Sequence, residues 1–302
     1  MTTTTSAGSL GTPNADSLGV RGGAETGAGE PGIRSLQGAR TWLFVPGDRP
    51  ERFGKAVDSG ADVVIADFED AVAPAAKPAA RRAVMAALNN GVDLAVRLNA
   101  PGTADFDLDL GALDSAHRPP RAVVVAKSED VPSLAAVADR LRVPIVALIE
   151  SARGLMACAE LAAVPRVVRF AFGAVDYSLD ISATADDDVV AYARSRLVAV
   201  SRAAALAAPL DTPSLAIGDS EAVAEAARLA RRFGMGGKLC IHPAQVPVVA
   251  QAFRPTEAEV ARARALLAAA SDDGAASFDG QMIDRPVLER ARQIVAEGAP
   301  LS

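Results

Sequence analysis

Two carboxylates, Glu150 and Asp176, follow short apolar runs, and a third apolar run ends in Arg97 and Asn99. A charge set directly against apolar sequence is costly unless it is paired or used. Two carboxylates converging on one opening make a hard-cation site, with Mg2+ completing its shell from waters and substrate oxygens. The alternative is an internal salt bridge from one of them to Arg97 or Lys127. The Arg97 guanidinium fork suits a carboxylate or thioester oxygen as charge develops on it, or it clamps the acidic group Asp67, Glu69 and Asp70. Lys127 reads as a charge partner or a Schiff-base nucleophile, and the neighbouring carboxylates favour the charge partner by holding it protonated. His242, followed by Pro243, serves either acid–base chemistry or a structural hydrogen bond. His117 lies in a polar loop and receives no role, and Asp186 to Asp188 read as a helix N-terminus.

These residues need a scaffold that brings the ends of apolar runs together. Candidate strands lie at 41–45, 62–67, 93–98, 121–126, 143–149, 167–172, 213–217 and 236–241. They are mostly continuous and β-branched, as strands buried on both faces of a parallel sheet are. Helical stretches at 50–59, 77–89, 153–163, 188–207 and 220–233 separate them. Eight such units match a (β/α)8 TIM barrel, whose chemistry sits in the loops at the carboxyl ends of the strands. An open doubly wound sheet is less favoured, because no G-x-G-x-x-G follows the first strand. The GMGGK at 234–238 lacks phosphate-loop spacing and reads as a tight turn. Beyond the barrel (39–254), Thr256 and Glu259 stand at capping-box spacing and open a C-terminal helical extension over 255–302. Its Gly-rich stretch 271–282 reads as a loop, and a last helix is expected at about 285–296.

Of the 302 residues half are hydrophobic, enough for a large core, and no run reaches the roughly 18 apolar residues of a spanning helix. A net charge of −6 with 4% aromatics disfavours a nucleic-acid surface and leaves a small-molecule partner. Cys158 and Cys240 read as free buried thiols in a reducing cytoplasm. Residues 1–38, rich in Thr, Ser, Gly and Ala, read as a disordered N-terminal tail that is not a secretory signal.

The segments LFVPGDRPERFGKA, ADFEDAVAP, VRLNAPGT, ALIESARGL, FGAVDYSLD, GKLCIHPAQV and SFDGQMIDRP, in this order between about residues 40 and 297, resemble the citrate lyase β-subunit-like branch of the HpcH/HpaI aldolase family. The resemblance implies a TIM barrel and reversible Claisen-type cleavage of a 3-hydroxyacyl-CoA into acetyl-CoA or propionyl-CoA and a keto acid. It also implies Mg2+ dependence, with Mn2+ as the substitute, and a homotrimer or hexamer. Under it, Glu150 and Asp176 match the metal ligands, Glu150 also facing substrate, and Arg97 matches the substrate-binding arginine. Asp284 matches an aspartate that reaches a neighbouring subunit's site as acid/base, which gives the extension its purpose. Phe44, Arg49 and Lys55 resemble positions along the CoA path, and Asp70 joins the strand-two acids that position Arg97 and bound water. Two departures are visible: Ala126 precedes Lys127 where many members have Pro, and Val175 precedes Asp176 where some relatives carry an acid. A thioesterase step, a carrier-protein-dependent subunit in a complex, and a Schiff-base aldolase using Lys127 are the competing readings.

Overall fold

The structure, a computed structural model, describes Met1 and residues 31–269, 276–278 and 281–298. Eight parallel strands close into a barrel in sequence order: β1 (Thr41–Pro46), β2 (Val63–Asp67), β3 (Ala95–Leu98), β4 (Val123–Val125), β5 (Ile145–Ile149), β6 (Val167–Phe172), β7 (Ala207–Asp211) and β8 (Gly237–Cys240). The ring is completed where β8 pairs with β1, Lys238 lying opposite Thr41. The helices that return the chain are α2 (Phe53–Val57), α3 (Lys77–Asn89), α4 (Ala104–Asp114), α5 (Val131–Leu141), α6 (Ala152–Ala162), α7 (Ala174–Asp180), α8 (Asp187–Ala203), α9 (Ser220–Phe233) and α10 (Gln245–Ala252). The expected TIM barrel is thus observed.

Strand periodicity divides the core in two. Trp42, Val63, Ile65, Ala95, Val124, Val146, Leu148, Ala171, Leu210 and Leu239 fill the barrel interior. Alternate residues such as Leu43, Val64, Val96, Val125, Ala147 and Phe170 turn outwards into the layer shared with the helices. Because this alternation holds, Asp67 after Ile65, Arg97 after Ala95 and Glu150 after Leu148 continue the inward face at the carboxyl ends of their strands.

Two expectations are corrected. The seventh strand is not 213–217: that run is loop, with Leu215 and Ile217 exposed, and the strand is Ala207–Asp211. Alanine's high helix propensity makes ALAAP read as the end of the preceding helix. Instead α8 stops at Ala203, and Ala205 takes a left-handed conformation at φ 56°. The small side chains then let the main chain approach buried Arg169, whose Nε donates to the Ala208 carbonyl at 2.6 Å.

The second correction concerns the tail. Residues 31–38 form helix α1 (Pro31–Gly38), and Leu36 is buried with Trp42 and Ala39 at the amino-terminal floor of the barrel. Arg169 ties this plug down, Nη1 donating to the carbonyls of Leu36 (3.2 Å) and Ala39 (2.6 Å). Burial pulls its guanidinium down to about 9, and Asp62 offsets only part of that shift. Composition missed this helix because one buried leucine in a small-residue context leaves little periodic signal. The remainder of the expected tail, residues 2–30, lies outside the described residues.

After the barrel, α11 (Glu257–Ala269) packs on α12 (Arg285–Glu297). The capping box is formed: Thr256 N–H donates to Glu259 at 2.7 Å and Glu259 N–H to the Thr256 hydroxyl at 3.1 Å. Within the stretch expected to be loop, β9 (Ala276–Phe278) and β10 (Gln281–Ile283) pair antiparallel. Ala296, Glu297 and Gly298, at the end of α12, share a cavity of about 740 Å³ with Arg40, Asp62 and Arg121, beneath the barrel floor. Cys158 and Cys240 are buried free thiols, and burial pushes the Cys240 thiol up to about 12. Among the described residues no helix is long and apolar enough to cross a membrane.

Candidate active site at the carboxyl-terminal mouth

Asp67 ends β2 fully buried and organises the mouth. Its carboxylate caps its own turn, accepting from Glu69 N–H (2.9 Å) and Ala71 N–H (3.0 Å). The same two oxygens receive Arg97 side-on, Nε at 2.7 Å and Nη2 at 2.6 Å. Arg97 Nη1 lies 2.7 Å from Glu69 and 3.9 Å from the exposed Asp70, and the guanidinium sits 4.8 Å from the centre of the Phe44 ring. Burial opposes the charge on Arg97, but Asp67, Glu69 and Glu150 outweigh it and raise its pKa above the ordinary arginine value. The guanidinium is a fixed cation with a fixed orientation.

The same crowding acts on the acids. Burial pushes the Glu69 carboxyl up to about 7, with Arg97 pulling it down and Asp70 and Asp67 adding to the rise. Glu150, 4% exposed, is pushed up to about 8 by burial and then by Glu69, with a smaller push from Asp176. Asp176, in the first turn of α7, is only partly buried. Among the described residues, no salt bridge joins Glu150 or Asp176 to a cationic side chain. Glu150 accepts from the main-chain N–H of Lys127 at 2.7 Å, while the Lys127 ammonium faces Glu69 at 3.7 Å. Burial lowers the Lys127 pKa, but Glu69, Asp70, Glu150 and Asp176 raise it further, so it is a charge partner rather than a neutral nucleophile.

A hard cation fits this donor set. A buried carboxylate whose ionised form is penalised by two other carboxylates gains from a neighbouring positive charge. Among the described residues no group of three or more His, Cys, Asp or Glu forms a closed cage. Two carboxylates with the remaining positions open to water and substrate is the arrangement Mg2+ favours.

The other candidates separate clearly. Phe44 lies under Arg97, as part of the mouth. Arg49 follows β1 with its side chain exposed, and Lys55 is exposed on α2, both outside the acid cluster. His242 Nδ1 accepts from Ala244 N–H at 3.2 Å and so shapes a turn, the structural alternative. Asp284 caps α12, accepting from Val287 N–H at 3.2 Å, and its side chain is exposed. Among the described residues, no hydrogen bond or ion pair links Asp284 to the acids and Arg97 of the mouth.

Sequence reasoning missed what stands behind the mouth. Asn99 is held by Asp109, whose Oδ2 accepts from its main-chain N–H (2.9 Å) and its side-chain amide (2.7 Å). Arg81 pairs with Asp109 at 2.8 Å, and Lys77 donates to Asn99. The only signal was Asn99 following an apolar strand; its partners on α3 and α4 are distant in sequence.

The HpcH/HpaI aldolase/citrate lyase pattern matches residues 40–243. A citrate lyase subunit beta-like protein of Mycobacterium tuberculosis is 42% identical over 262 residues, covering 84% of this chain and 93% of that one. The L-malyl-CoA/beta-methylmalyl-CoA lyase of Rhodobacter capsulatus is 32% identical, covering 85% and 94%. Among solved structures, the M. tuberculosis protein CitE in complex with magnesium, acetoacetate and coenzyme A superposes with a TM-score of 0.79 at 40% identity, covering 87% of this chain and 99% of that one. Matching pattern, relatives and barrel lead to one assignment: the chain belongs to the HpcH/HpaI aldolase/citrate lyase family.

Proposed function

We propose that the protein is an Mg2+-dependent carbon–carbon lyase that cleaves a 3-hydroxyacyl-CoA reversibly to acetyl-CoA or propionyl-CoA and a keto acid. The observation that carries this reading is the pairing of buried Glu150 with Asp176 beside an arginine held rigid by Asp67 and Glu69. Glu150 and Asp176 hold the metal, which when bound supplies Lewis-acid polarisation of the substrate's oxygens. Arg97, oriented by Asp67 and Glu69, meets the oxygen on which negative charge develops, and that orientation costs no reorganisation during the reaction. As the C–C bond breaks, the hydroxyl proton is lost and the bonding pair passes to the acyl-CoA enolate. The enolate carbon then takes a proton, so the sum of products balances the substrate.

Asp284 of a neighbouring copy is our candidate for that proton donor, in a homotrimer or hexamer. Its exposed side chain supports a role in trans. Phe44, Arg49, Lys55 and Asp70 border the approach for the CoA ester, and we assign the enzyme to the cytoplasm. Incubating the purified protein with citryl-, malyl-, methylmalyl- and citramalyl-CoA, with Mg2+ or EDTA, tests the reading. Metal-dependent release of a keto acid with acetyl-CoA or propionyl-CoA supports it. Release of free CoA alone identifies a thioesterase, and turnover only on an acylated carrier protein identifies a complex-bound subunit.

A further inference from the structure

Glu150 is held from two sides by parts of the chain that no ligand set includes. On one side is the turn after β4. Lys127 there has φ 45°, a left-handed conformation in which a non-glycine side chain crowds its own carbonyl. Its neighbour Ser128 explains why the turn stays so. Ser128 N–H donates to the Leu148 carbonyl on β5 (3.1 Å), and its hydroxyl donates back to Val125 (2.9 Å). A Cβ added at Gly154 would lie 2.5 Å from the Ser128 carbonyl, so α6 also packs directly on the turn. Pinned at Ser128, the chain turns the Lys127 N–H onto Glu150 Oε1 at 2.7 Å. On the other side is Gly173, between β6 and α7. A Cβ there would meet Glu150 Oε2 at 2.7 Å and Glu150 Cβ at 2.8 Å. The φ of Gly173 is −103°, which any residue adopts, so the space taken by Glu150, and not backbone freedom, is what glycine provides.

We infer that the left-handed main chain at Lys127 and the bare Cα of Gly173 form a clamp that presets the Glu150 carboxylate for metal binding, making both positioning residues. The inference rests on the lyase reading for the identity of the metal, but its content is the orientation of one carboxylate. Lys127 contributes through its N–H; its ammonium belongs to Glu69.

The test separates these contributions. Lys127→Gly and Lys127→Val both delete the ammonium. Glycine holds φ 45° without strain, whereas a β-branched residue is a severe outlier there and turns the N–H away. Mn2+ titrated into each full-length protein and followed by EPR is expected to bind at least tenfold more weakly to Lys127→Val than to Lys127→Gly, the usual loss when a supporting contact of a ligand is removed. Gly173→Ala is expected to weaken Mn2+ binding at least tenfold relative to the parent protein. If Lys127→Val does not accumulate as folded protein, Lys127→Ala, with a milder left-handed penalty, takes its place in the comparison. Affinities of the two Lys127 variants within threefold of each other overturn the clamp, whatever the lyase assays give. A parent protein that binds Mn2+ but cleaves no CoA ester overturns the lyase reading and leaves the clamp standing.

Discussion

Asp67 holds Arg97 through both carboxylate oxygens, at 2.7 and 2.6 Å, while spending the same oxygens on two main-chain N–H groups of its own turn. The arginine is therefore referenced to the β2 backbone. Arg97→Lys keeps the charge and loses the fork. Steady-state kinetics on the cleaved ester should show kcat/KM lower by about 10² or more, the usual cost of losing one preorganised donor to developing charge. A variant with parental kinetics would mean that charge alone suffices.

Burial raises the Glu69 and Glu150 carboxyls from 4.5 to about 7 and about 8. Between 4.5 and those values the folded state keeps protons that the unfolded state has released, so stability falls as pH rises. The metal-free protein should lose Tm between roughly pH 5 and pH 8. Mg2+ must displace the proton on Glu150, so its affinity should rise through the same window, and the Tm gained on adding Mg2+ should be larger at pH 8 than at pH 6. Thermal melts at both pH values with Mg2+ or EDTA check this, and an equal gain at both would place the metal elsewhere.

Asp284→Asn is an informative change because asparagine caps a helix as well as aspartate does. Tm should be preserved while turnover falls by about 10² or more, the scale of a lost general acid. Mixing Asp284→Asn chains with Arg97→Lys chains should restore part of the rate, since some sites of the mixed oligomer then receive an intact pair from two chains. Full turnover in the single variant, or no restoration on mixing, would remove the trans role.

Leu36 closes the floor of the barrel with 1% exposure. Leu36→Ala should cost about 2–5 kcal/mol, the range for emptying a buried leucine site. The midpoint of urea unfolding reads the loss, and an unchanged midpoint would show that α1 is not part of the cooperative unit.

How much of this was legible beforehand depends on sequence distance. Seven of the eight strands fall on the apolar runs read from the sequence, most of them rich in β-branched residues, because both of their faces are buried. The seventh does not: AAPLD is built of small residues to fit over Arg169, while the exposed SLAI after it carries the stronger apolar signal. Likewise Glu150 and Asp176 stand out because each follows an apolar strand, but the residue that supports Glu150 is a main-chain N–H, which every residue except proline possesses.

By itself the sequence determined the repeating strand–helix order, the inward parity of Asp67, Arg97 and Glu150, and the charge types gathered at one rim. These are local properties, since periodicity and residue type act along a few neighbouring positions. Only the tertiary structure decided which acid holds Arg97, that the ammonium of Lys127 faces Glu69 while its N–H faces Glu150, and that α1 plugs the floor. Each of those outcomes is settled by closure of the barrel, which sets residues 20 to 130 positions apart within hydrogen-bonding distance and lets burial choose among partners that composition leaves equivalent.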